Sequence, residues 1–201
     1  MMSFLESIEN TDFATWVRDA NTVFGYATVL ALHTFGLAFL VGISAGIALR
    51  TLGVAPGLPL APLGGHFRVM WIGFRVNVLS GVVLLMLDAR TFLTSPDFYI
   101  KMLAIAVAAT SVRLLQTSVF GDPARLGSRP VPMKAKILAG TSLLSWAVAI
   151  TAGRLTAYDG FIQRQTAAAV LVLAVVILVA WYIAARLLAR NKSTRQARLV
   201  W

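Results

Sequence analysis

Of 201 residues, 58% are hydrophobic and only 13% are charged, about half the charged share of a soluble domain. The apolar residues come in blocks of roughly 20, long enough to cross a bilayer core of about 30 Å as helices. This excludes a soluble fold, and with it the nucleic-acid partner that a net charge of +10 would otherwise suggest.

Residues 1–22 come first. Phe4, Leu5, Ile8, Phe13, Trp16 and Val17 recur at three- and four-residue spacing with acids between them. The pattern predicts a short amphipathic helix lying in the membrane interface. Glu6, Glu9, Asp12 and Asp19 argue against a cleavable signal peptide, which would open basic and then turn apolar.

Five apolar blocks follow, at 23–49, 69–90, 99–119, 135–157 and 167–189. The predicted fold is all-α: a polytopic membrane helix bundle over 23–190 with five transmembrane helices, and a basic cytoplasmic tail over 191–201. Ala38, Gly42 and Gly46 form a stripe of small residues on the first span, suited to close helix packing. The link over 51–66 is rich in Pro and Gly and reads as a loop. The fourth span carries Gly140, Ser142, Ser145 and Gly153 and should be buried. The fifth is nearly all Ala, Val, Leu and Ile over 167–180 and should face lipid.

Basic residues divide by side. Of 18 Lys and Arg, five fall with the amino terminus and the 2–3 and 4–5 links, and 13 fall on the other side. Basic loops stay in the cytoplasm. The amino terminus is therefore expected outside, and five spans put the carboxyl terminus inside.

Ionisable groups at membrane depth are costly and so are functional candidates. His33 lies about ten residues into the first span, roughly 15 Å deep, as a metal or haem ligand, a proton relay or a hydrogen-bonded structural residue. Asp88, Lys101, Arg154 and Tyr158 lie toward the same outer end on three other spans. They can form ion pairs, or bind an anion such as haem propionates or a carboxylate. Met86 and Met102 are weaker metal or haem ligands, and core filler otherwise. His66 sits at the opposite end, roughly 25 Å from His33, and cannot share one haem with it. Arg75 and Arg113 can snorkel to the cytoplasmic headgroups. With no cysteine, thiolate chemistry is excluded.

The stretch His33-Thr-Phe-Gly36-Leu37-Ala-Phe-Leu40-Val41-Gly42 resembles the first helix of an uncharacterised family of small bacterial membrane proteins. So do Phe98-Tyr99-Ile100-Lys101, Ser142-Leu143-Leu144-Ser145-Trp146 and Gly153-Arg154-Leu155-Thr156-Ala157-Tyr158. The likeness covers nearly the whole chain; an acid expected before the Leu-Arg that ends the first span is replaced by Ala48. That family is distantly similar to copper-resistance D-type and cytochrome b-like membrane proteins. The resemblance implies a five-helix protein of the bacterial inner membrane.

The resulting expectation is a non-enzymatic subunit of a periplasm-facing redox (haem b) or copper-handling system, with His33 as ligand. The alternative is a small proton-linked transporter, or a structural partner without cofactor. Expected partners are the lipid bilayer and another membrane or periplasmic protein or a second copy, with no nucleic acid.

Overall fold

A computed structural model describes residues 2–20, 22–121 and 131–155, and these form helices with no strand among them. The fifth predicted span, the basic tail, Tyr158 and most of the basic loop before the fourth span lie outside the described residues.

The amino-terminal segment is two helices where one was predicted: α1 (Met2–Glu9) and α2 (Asp12–Asp19). Thr11 causes the break. Its hydroxyl donates to the Ile8 carbonyl at 3.0 Å and accepts from the Ala14 N–H at 3.3 Å, which caps α2. Leu5, Glu9, Ala14 and Val17 turn inward while Phe4, Phe13 and Trp16 stay exposed.

The first apolar block forms α3 (Tyr26–Leu52). It ends at Gly53, whose φ of +101° suits a residue without a Cβ. The Arg50 guanidinium then donates to the Leu58 carbonyl and, at 3.0 Å, to the Pro56 carbonyl, tying the Pro-rich link to the helix end. A 3-10 turn (Ala61–Gly65) leads into α4 (His66–Leu87), which starts three residues before the predicted span. Asp88 leaves helical geometry at φ −149°, ψ 56°. The 2–3 link then folds into a further short helix, α5 (Ala89–Thr94), absent from the sequence prediction. Pro96 occupies the first turn of α6 (Pro96–Val119), where a missing N–H costs nothing. The last described helix is α7 (Met133–Leu155).

Among the described residues, four helical stretches are long and apolar enough to cross a membrane: Tyr26–Leu52, Ala61–Leu87, Pro96–Val119 and Met133–Leu155. These are consistent with an integral membrane protein. Their outer faces agree: Phe35, Leu79 and Leu103 are 64%, 69% and 68% exposed, a heavy liability in water but matched to lipid.

The packing runs α4–α3–α7–α6. The α3–α4 pair is held at glycine. A Cβ on Gly36 would stand 2.8 Å from the Asn77 nitrogen and the Gly73 carbonyl oxygen, so the backbones touch there. Between α6 and α7 the interface is built from small side chains, including Ala104, Ala108, Ala139 and Ala149, as close packing in lipid requires. Between α3 and α7 the link is polar: buried Trp146 donates its indole N–H to Ser44 Oγ at 3.0 Å, and Ser44 meets Ser142 at 3.2 Å. By contrast, α4 and α6 are not among the closely packed helix pairs and are linked by side chains, as where the Trp71 indole N–H donates to the Gln116 amide oxygen at 3.0 Å. The seam between them is where the fold opens.

Gly42 and Gly46 have nothing within 4 Å of an added Cβ, and Ala38, Gly42 and Gly46 are all exposed among the described residues. The stripe therefore takes no part in the α3–α4 contact, which Gly36 makes on another face.

Candidate functional site

One end of the α4–α6 seam holds a cavity of about 190 Å³. His33 reaches it from α3, Asn77 and Gly81 from α4, Phe92 from α5, and Phe98, Lys101 and Met102 from α6. Polar groups enter from few positions, and the remaining wall is Val, Leu and Ile.

The imidazole of His33 is fixed by α4. Its Nδ1 lies 3.0 Å from the Asn77 carbonyl oxygen and 3.2 Å from Ser80 Oγ. A carbonyl can only accept, and the Ser80 hydroxyl proton is committed to the Val76 carbonyl at 2.7 Å. The Asn77 amide nitrogen is also 3.4 Å from Nδ1 but donates to the nearer His33 carbonyl oxygen, so the hydrogen is assigned to Nδ1. That leaves Nε2 as the lone-pair nitrogen of the neutral ring, and no described residue bonds it. The Asn77 amide donates to the His33 carbonyl oxygen at 2.9 Å, closing a reciprocal pair between the helices. Gly81 provides the space: a Cβ there would stand 3.2 Å from His33 Cε1.

Lys101 is half-buried and crosses α7 at Gly153, where an added Cβ would lie 3.4–3.5 Å from its Cδ, Cε and Nζ. Among the described residues no carboxylate comes within 4 Å of its ammonium; the ion pairs they form are Arg90 with Glu6 and Arg90 with Glu9. Asp88, expected as a partner for Lys101 or Arg154, is exposed beside Arg90 instead. Arg154 is exposed. Met102 lines the cavity and Met86 does not. His66 stands at the start of α4, with Nδ1 3.2 Å from the Pro62 carbonyl oxygen.

The residues do not fit haem. The cavity is smaller than the ~300 Å³ lower bound of sites for drug-sized ligands, and haem is larger still. A copper ion is poorly matched as well. Nε2 of His33 and the Met102 thioether are suitable donors, but the nearest charge is the cation Lys101. No group of three His, Cys, Asp or Glu able to hold a metal occurs among the described residues.

The sequence reading missed Asn77, Ser80 and Gly81. Asn77 and Ser80 were the available signal: two polar residues three apart inside an apolar span, hence on one face. It also missed the clamp near the amino terminus. Glu9 accepts from the Arg90 backbone N–H at 2.7 Å and from its Nε at 2.9 Å, while Glu6 accepts from the same guanidinium at 2.9 Å. Arg90 thereby holds the Glu9 carboxyl below its ordinary value of 4.5, the backbone hydrogen bond contributing most. Here the signal was an acid four residues after Leu5, on the inward face of α1.

No family model matches the chain, and neither a curated protein nor a solved structure matches it.

Proposed function

We propose that the chain is a multi-pass inner-membrane protein, amino terminus outside and carboxyl terminus cytoplasmic, that binds a small organic anion together with one proton. The observation that carries this is an ammonium without a carboxylate partner among the described residues, in an apolar cavity shared with a histidine. A half-buried charge in an apolar cavity favours a partner of opposite sign, and the cavity admits one with a short hydrocarbon body. The uneven division of Lys and Arg supports the orientation. The resemblance of the His33–Gly42 and Gly153–Tyr158 stretches to small bacterial inner-membrane proteins supports the location.

The chemistry follows from the tautomer. Lys101 gives a carboxylate a charge-assisted hydrogen bond. Nδ1–H of His33 is engaged by α4, so Nε2 can donate to the anion only when a proton has been added. Equally, Nε2 can accept from the protonated acid. In either description one proton enters with one anion, which is the elementary requirement of a proton-linked carrier. This favours the transporter reading over a redox or copper-handling subunit, since the cavity fits neither haem nor a bare cation well.

The test uses linear monocarboxylates from acetate to octanoate, added to the purified protein in detergent. Thermal stabilisation is expected to peak at one chain length and to disappear in Lys101→Met. Binding in unbuffered solution should take up close to one proton per anion in the wild type. His33→Gln, whose amide can donate without a proton, should bind with none. If no carboxylate stabilises the wild type more than Lys101→Met, the reading fails. A Soret band or stoichiometric copper in the purified protein would restore the redox alternative.

A further inference from the structure

The opposite end of the α4–α6 seam is a second, open groove of about 720 Å³. Arg68, Trp71, Ile72, Phe74 and Arg75 line it from α4, and Arg113 from α6. All three guanidiniums are exposed, and no carboxylate among the described residues lies within 4 Å of any of them. Arg75 lies nine residues into α4, about 13 Å along its axis, and Arg113 lies six residues from the end of α6, about 9 Å. Two arginines at such depth are costly unless something of opposite charge meets them.

The groove is built on fixed side chains. The Gln116 amide oxygen accepts from the Trp71 indole N–H at 3.0 Å and from the Arg113 guanidinium at 3.1 Å, which joins the two helices across the seam. Trp71 meets Phe74 edge-on at 5.5 Å. Arg68 and Arg75 are seven residues apart, two turns along one face. The apolar members decide the kind of ligand. Ile72, in the groove, and Val69, beside it on α4, are 51% and 45% exposed. A free anion would gain nothing from them, whereas an acyl chain would lie against them.

We propose that this groove holds the phosphodiester headgroup of an anionic phospholipid, with a fatty chain running over Ile72. Guanidinium forks match phosphate oxygens in pairs, and basic pockets between membrane helices recognise acidic lipid headgroups. The lipid supplies the charge that lets Arg75 and Arg113 remain in the span, and it fills a seam that α4 and α6 do not close themselves. This rests on the chain spanning a bilayer and not on the His33–Lys101 reading. The two tests use different probes and different residues, so either can fail alone.

Full-length protein is equilibrated in mixed micelles of phosphatidylglycerol and phosphatidylcholine, and bound lipid is counted by native mass spectrometry. The expected result is selective retention of phosphatidylglycerol. Its preference should fall roughly fivefold for each guanidinium removed in Arg75→Gln and Arg113→Gln, about 1 kcal/mol each. Arg50→Gln, outside the groove, should leave it unchanged. Arg75→Lys keeps the charge without the fork, covers the case of a misfolded glutamine variant, and should lose less than Arg75→Gln. Equal retention of both lipids by the wild type overturns the proposal, as does an unchanged preference in the double glutamine variant. Displacement of the lipid by millimolar inorganic phosphate, at equal effect on all variants, overturns the lipid as the occupant.

Discussion

At the scale of single residues, two side chains show how much position decides. Glu9 and Asp88 are both acids near the same end of the bundle, yet only Glu9 is buried, against the Arg90 backbone and side chain. Because its folded-state value is depressed, Glu9 binds a proton less readily folded than unfolded. Its contribution is therefore complete above its ordinary value of 4.5 and is lost as pH falls through the lower folded-state value. We expect the thermal midpoint in detergent to drop below about pH 4.5, and Glu9→Gln to flatten that part of the profile. An identical acid limb in the variant would assign the loss to other carboxylates. Gly81 permits a second test at this scale. Gly81→Val places bulk where the His33 ring now sits, 3.2 Å from the Cβ direction. Carboxylate binding should be lost at little cost in folding, since the cavity beside the ring can take the displaced imidazole.

At the scale of elements, the contacts that hold the bundle are unequal. The α3–α4 contact is a backbone approach at Gly36, and Gly36→Ala must part the helices by several tenths of an ångström because the opposing atoms are backbone. A loss of about 1–3 kcal/mol is expected from such overpacking, measured by titrating with a denaturing detergent. Gly42→Ala, with nothing within 4 Å, should be neutral or slightly stabilising. If the two substitutions cost the same, the close approach is not what joins α3 to α4. The Trp146–Ser44–Ser142 link differs again. Single hydrogen bonds between membrane helices average about 0.6 kcal/mol, so Trp146→Phe should cost little, whereas Trp146→Ala adds a cavity and should cost about 3–5 kcal/mol.

At the scale of the whole molecule, the two cavities share one cause. α4 and α6 are not among the closely packed helix pairs, so the seam stays open at the His33–Lys101 end and at the Arg75–Arg113 end. Orientation belongs to this scale too. The chain has no cysteine, so single cysteines report side without background. A membrane-impermeant maleimide should label Ser7→Cys in spheroplasts and Ser193→Cys only after lysis. Labelling of both without lysis would contradict an odd number of spans.

The sequence by itself determined the all-helical class and four helices apolar and long enough to span, because a block of about 20 apolar residues has one economical state in lipid: a helix that satisfies its own backbone. The ends came out about three residues off, at Gly53 and Pro96 as at Asp88 and the Gly-rich turn before His66, because the capping geometry there decided the boundary. It also picked out His33 and Lys101, since an ionisable group inside a span is conspicuous. Which residues meet was decided by tertiary structure alone. Apolar periodicity does not rank neighbours in a bundle whose helices are apolar all round, so the Gly36 contact and the open α4–α6 seam were not legible. Neither was the diversion of Asp88 toward Arg90, because α5 is a short helix fixed by Glu9 more than 80 residues earlier in the chain. Local rules set where helices begin and end, while the pairing of side chains over such separations depends on how the helices are laid against one another.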